Sequence, residues 1–169
     1  MSIIILTFAV MRTKMILLTT VALTVTACAS LTPAEKAERI RQVQTALNDR
    51  HYLVDVKEMY PRRGPSRNIA SDWSLEVRGD TLVSYLPYFG RAYSIPYLGG
   101  KGLNFTAPIS KYSDYVTAKG VRVISLVVDN GEDVISYQLE VFDNGQTTIS
   151  VQPHEMESIS YGGELSWPQ

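Results

Sequence analysis

Past the N-terminal leader, apolar residues recur at helical spacing in one stretch only. Ala37, Ile40, Val43, Ala46 and Leu47 fall on one face, while Glu38, Arg39, Arg41, Gln42 and Gln44 fall elsewhere, the stripe of a helix that packs on a sheet. Thr32-Pro33-Ala34-Glu35 reads as a capping box with proline at the first helical position, which starts the helix there. It ends between Asn48 and His51. From that point the period changes from helical to two. Tyr52, Val54 and Val56 alternate with Leu53, Asp55 and Lys57, and Trp73, Leu75 and Val77 alternate with Ser74, Glu76 and Arg78, each a half-buried strand. Gly79-Asp80 turns the chain into a strand over 81–86. Later come strands over 121–128, 134–142 and 147–151, joined by turns at Asp129-Asn130-Gly131-Glu132 and Asp143-Asn144-Gly145; Asn-Gly is the strongest short hairpin signal. A last strand is expected around 158–161.

Two stretches read as irregular: 61–71, and 87–108 with its three prolines and four glycines. Loops of this length in a compact domain are often functional. Seven or so antiparallel strands, one N-terminal helix and no βαβ alternation predict a mostly β fold: a curled antiparallel sheet or small lipocalin-like barrel, with a β-sandwich as the alternative. Residues 32–169 form a single domain on this reading.

The leader changes the picture of where the domain works. Residues 1–27 contain no Asp or Glu; Arg12 and Lys14 precede an apolar run over 15–25, which ends in Val25-Thr26-Ala27-Cys28. A basic segment and a short apolar stretch before small residues make a secretory signal. Met11, directly before Arg12, is a second candidate start. Cys28 is the only cysteine of the 169 residues, and its position at the end of the apolar run resembles the lipobox of bacterial lipoproteins, so we expect lipid attachment at Cys28 and a tether over 28–31. The chain is then held on a bacterial envelope membrane, outer membrane facing the periplasm. The whole chain has 16 basic and 17 acidic side chains; removing Arg12 and Lys14 leaves 14 against 17, net −3. Nucleic acid is not an expected partner, since that footprint is a basic excess.

Candidate chemistry gathers in the two long loops. Arg62, Arg63 and Arg67 lie within Pro61-Arg62-Arg63-Gly64-Pro65-Ser66-Arg67-Asn68; guanidinium forks suit carboxylates or phosphates, although pairing with the protein's own acids is the plainer and favoured reading. Tyr85, Tyr88, Tyr93 and Tyr97 concentrate in one segment with Arg91, and Lys101 follows in Gly99-Gly100-Lys101-Gly102. Rigid rings beside cations suit a glycan or peptide; equally, the rings can roof the end of a β core. The residues expected to bind a ligand are therefore Arg62, Arg63, Arg67, Tyr85, Tyr88, Arg91, Tyr93 and Lys101, and the ligand an envelope glycan, peptide or protein.

Catalytic signatures are scarce. Gly-x-Ser-x-Gly and Ser-x-x-Lys are both missing, His154-Glu155 begins like a zincin but Ser158 takes the second histidine's place, and Gly99-Gly100-Lys101-Gly102 lacks the Ser or Thr of a phosphate loop. Glu155 and Glu157 share a face if 154–160 is a strand, but exposed edge charges explain them more simply. We expect no enzyme, no catalytic residue, no metal and no cofactor. A barrel carrying a small apolar ligand is the alternative function; an envelope hydrolase ranks last.

The leader, the capped helix, Pro61 to Asn68, Ser84-Tyr85-Leu86-Pro87-Tyr88-Phe89-Gly90-Arg91-Ala92-Tyr93 and Gly99-Gly100-Lys101-Gly102-Leu103-Asn104-Phe105 together resemble the domain of unknown function 4251 family of bacterial envelope lipoproteins. The resemblance covers most of the mature chain. It implies a mostly β, lipocalin-like or barrel-like domain with no assigned activity, and supplies no catalytic residue.

Overall fold

The computed structural model describes residues 32–69, 72–93 and 100–167. The signal segment, Cys28, the 28–31 tether and Tyr97 lie outside them. The chain divides into two compact units, 1–34 and 35–169, and the second holds the fold.

Helix α1 runs Pro33–Asn48. Nine strands follow: β1 His51–Pro61, β2 Arg67–Asn68, β3 Ser74–Arg78, β4 Thr81–Tyr85, β5 Asn104–Val116, β6 Arg122–Asp129, β7 Val134–Val141, β8 Gln146–Pro153 and β9 Ile159–Ser166. All pairings are antiparallel, β1 pairs with β9 as well as β3, and β2 is a two-residue addition on the β1 edge. The result is a closed eight-stranded barrel, not a sandwich. Closure leaves no long free sheet edge to manage.

The period-two pattern decides which side chains face in. Val54, Leu75, Val77, Leu82, Ile124, Leu126, Val128, Ile135, Leu139, Ile149 and Leu165 are 0–1% exposed, alternating with outward polar neighbours. Tyr52, Tyr137 and Tyr161 are equally buried, so large side chains occupy the interior, the usual state of a small barrel. An interior ligand would have to displace them. Val43, Ala46 and Leu47 of α1 join this core, and Arg39 extends from the helix to the Asn144 carbonyl and to Glu164.

Strand β5 departs from the expectation of irregular chain over 87–108, since it begins at Asn104. Its upper half, 104–108, pairs with β4, and its lower half, 109–116, pairs with β6, with a bulge between Ile109 and Lys111. Pro108 has no N–H to donate; it falls where the strand hands over from one neighbour to the other, and the bulge then shifts the inward phase. Those two features hide a thirteen-residue strand from a search for simple alternation.

The registers give the barrel two different ends. The Gly79-Asp80 turn, the β5–β6 and β7–β8 turns and α1 lie at one, here the turn end; the β1–β3 and β4–β5 connections, the β6–β7 turn and the β8–β9 connection lie at the other, the loop end.

Candidate functional site: the loop end of the barrel

The long β4–β5 connection is fastened from inside the barrel at both its roots. Leu86 and Leu103 are buried. Tyr161 donates its hydroxyl to the Pro87 carbonyl at 2.7 Å, and Tyr137 donates to Ser84 Oγ, which donates to the Leu103 carbonyl at 2.7 Å. Further out, the loop docks on the β8–β9 connection: Tyr93 N donates to the Glu155 carbonyl and Glu157 N to the Arg91 carbonyl, a single antiparallel bridge between Ala92 and Met156. Tyr88 spans the same gap, its hydroxyl 3.0 Å from the Arg91 carbonyl and 3.1 Å from that of Glu157. Burial pushes the Tyr88 hydroxyl above the usual tyrosine pKa, keeping it a donor.

Two carboxylates complete the frame. Glu157, with only 5% of the residue exposed, takes Arg63 at 3.3 Å and the Arg91 N–H at 3.4 Å, joining three connections at one buried charge. A buried charge needs such partners. Asp133 accepts the N–H groups of His154 and Glu155, and Glu132 accepts that of Lys101 at 2.8 Å. Between these ties lies a half-open cleft of about 240 Å³, whose lining includes Tyr88, Ala92, Asn130, Glu132, Glu155 and Met156. Asn130 uses its Oδ1 to cap Glu132 N and Asp133 N, so its amide oxygen is engaged within the turn.

A second feature stands at the same end, where Trp73, half-buried against the core, meets exposed Tyr85. Trp73 and Tyr85 stack with ring centroids 4.6 Å apart and planes at 22°. Arg67 lies over the Phe89 ring at 4.2 Å. Tyr85 and Phe89 each remain 47% exposed and Tyr93 65%. Single exposed rings are ordinary; here several stand at one end of the barrel with a guanidinium over one of them.

The eight residues predicted as one rim therefore separate. Arg67 and Tyr85 join the aromatic group. Arg63 and the Arg91 backbone meet at Glu157, Tyr88 forms part of the cleft, Tyr93 and Arg62 are exposed, and Lys101 enters through its backbone N–H only. The cleft lining is acidic rather than basic. Sequence reasoning missed Trp73, Asn130, Glu132, Asp133 and Met156 as site residues, because they come from strand ends and hairpin turns that look purely structural. Glu155 and Glu157 do not act as an edge pair either: Glu155 meets His154 Nδ1, and Glu157 is a buried tie. Among the described residues, no group of three or more His, Cys, Asp or Glu is placed to hold a metal ion.

The family model for Domain of unknown function (DUF4251) matches residues 34–165. The chain belongs to the DUF4251 family. A solved structure, the crystal structure of a DUF4251 family protein from Bacteroides eggerthii, is 15% identical, covers 80% of this chain and 92% of its own, and superposes with a TM-score of 0.61. At that identity the likeness establishes the barrel and nothing about ligands. No curated protein matches the chain. The match spans nearly the whole DUF4251 barrel, including both roots of the β4–β5 connection and the buried Glu157.

Proposed function

We propose that this DUF4251 domain is a non-catalytic module, held on the periplasmic face of the outer membrane by a lipid on Cys28, that recognises an envelope glycan with the loop end of its barrel. The observation that carries the proposal is the paired aromatic group, Trp73 on Tyr85 and Arg67 over Phe89, presented beside a fixed cleft that combines the Tyr88 ring and Met156 with the carboxylates Glu132 and Glu155. Sugars offer an apolar C–H face and a ring of hydroxyls, and flat rings with nearby carboxylates suit both. At about 240 Å³ the cleft is below the usual size for a drug-like ligand, so it fits a small unit such as one sugar ring. The side chains occupying the barrel interior argue against an internal apolar cargo.

The test is calorimetric titration of the mature chain with a panel of purified envelope glycans: soluble peptidoglycan fragments and deacylated lipopolysaccharide oligosaccharides. Each stacked ring is worth about 1 kcal/mol, so Tyr85→Ala combined with Phe89→Ala weakens binding by about thirtyfold. Both rings are exposed, which leaves the fold intact. Equal affinity of the double variant and the parent for the bound glycan refutes the proposal.

A further inference from the structure

The turn end of the barrel carries a separate apolar group with no role in the core. Tyr115 is 57%, Val116 64% and Phe142 43% exposed. Tyr115 stands opposite Val123 in the β5–β6 register; since Ile124, Leu126 and Val128 point inward, Val123 points outward, yet it is 4% exposed and lies outside the core cluster. Phe142 shares a shallow recess with Val121 and Lys119, bordered by Asp143. The nearby charges balance: Lys111 and Lys119 are set against Asp143 and Glu140, the last opposite Val123, while Asp114 is paired with Arg122. Apolar side chains with a lysine at the border and little net charge are the makeup of a surface that sits in a phospholipid headgroup layer.

The chain's connectivity points to the same place. Arg39 donates to the carbonyl of Asn144, two residues from Phe142, and follows Cys28 by eleven positions. Five residues of extended chain and the first turns of a helix reach at most about 26 Å. A lipid on Cys28 therefore holds the Arg39 backbone within that distance of the bilayer, and the turn that Arg39 contacts lies one arginine side chain further.

We infer that Tyr115, Val116 and Phe142 rest in the headgroup region of the membrane to which the lipid anchors the chain, turning the loop end away from it. This rests on the lipid-anchored reading above. It is an apolar contact, so salt leaves it unchanged.

The mature lipidated protein in phosphatidylethanolamine–phosphatidylglycerol vesicles tests it. With Cys28 acylated, a cysteine introduced as Phe142→Cys or Val116→Cys is the one free thiol and takes a polarity-sensitive fluorophore; Tyr93→Cys serves as the loop-end control. The expected result is flotation of all three with the vesicles, with labels at 142 and 116 shielded from aqueous iodide by about threefold and that at 93 freely quenched. Flotation with all three labels equally quenched overturns the inference and leaves the anchor standing, as does shielding at 93 in place of 142 and 116. Failure to float at all overturns the anchored reading and the inference with it.

Discussion

Gly163→Ala lowers the stability of the domain by about 3 kcal/mol, because a side chain there collides with backbone. Gly163 lies in β9 opposite Val56 of β1, beside the bulge between Val56 and Glu58, and on its other flank opposite Thr147 of β8. A Cβ at this position runs into the Asp55 carbonyl oxygen and comes within 3.0 Å of Val54 Cγ1. The carbonyl belongs to the strand that closes the barrel, so relief requires the β1–β9 seam to open. Neighbouring Gly162 is the useful contrast: its Cβ meets the Tyr60 side chain at 3.3 Å, and Tyr60 is exposed and able to move. Urea unfolding of the two alanine variants checks the claim. A large loss at 163 with a small one at 162 is expected; equal small losses mean that the seam does not close as tightly as described.

Stability also collapses in alkali. Burial raises the pKa of Tyr52, Tyr137 and Tyr161 above the ordinary tyrosine value, with the Tyr112 hydroxyl adding to the effect at Tyr52. In the unfolded chain the same groups ionise near pH 10. Below that pH both states keep their protons and the contribution is constant and complete. Above it the unfolded state sheds protons that the folded state retains, so stability falls as pH rises. These three alone give a slope of about 4 kcal/mol per pH unit, to which Tyr60, Tyr88 and Tyr112, also raised, add; that is enough to unfold an ordinary domain within two or three units of pH 10. Equilibrium unfolding between pH 9 and 12 measures it. Removing one group, as Tyr137→Phe, flattens the slope by about 1.4 kcal/mol per pH unit; an unchanged slope contradicts the account.

The barrel was readable in the chain because its strands report burial directly. The Val134 to Val141 alternation and the two Asn-Gly turns that bound it on either side place β6, β7 and β8 without any tertiary information. Strand β5 escaped because Pro108 and the bulge at 110 break the pattern at the one place where the strand changes partners, a consequence of barrel stagger that no local window records. The Gly162-Gly163 pair lies just beyond the strand expected around 158–161, and what excludes a side chain at 163 is visible only once β1 lies across from it.

The site was readable in part. Exposed tyrosines and arginines on long loops marked the end of the barrel at which the cleft and the ring pairs lie, since the loops were visible as breaks in alternation. Their grouping was not visible. Arg67 and Phe89 are 22 positions apart and Arg63 and Glu157 94, and only the topology that sets β2 and β9 on opposite edges of the same stretch of β1 brings such pairs into contact. The acidic cleft was hidden for another reason: Glu132 and Asp133 sit in a hairpin turn, where their residue types are already explained by turn formation.

The most direct test of the glycan-binding loop end is chemical-shift mapping of the isotope-labelled mature chain titrated with soluble peptidoglycan fragments and lipopolysaccharide oligosaccharides. Saturable shifts grouped at Arg67, Trp73, Tyr85, Tyr88, Phe89 and Met156, with the core leucines and α1 silent, are the predicted result. Shifts centred on interior residues such as Leu126 and Ile149, or no saturable shift with any glycan of the panel, contradict it.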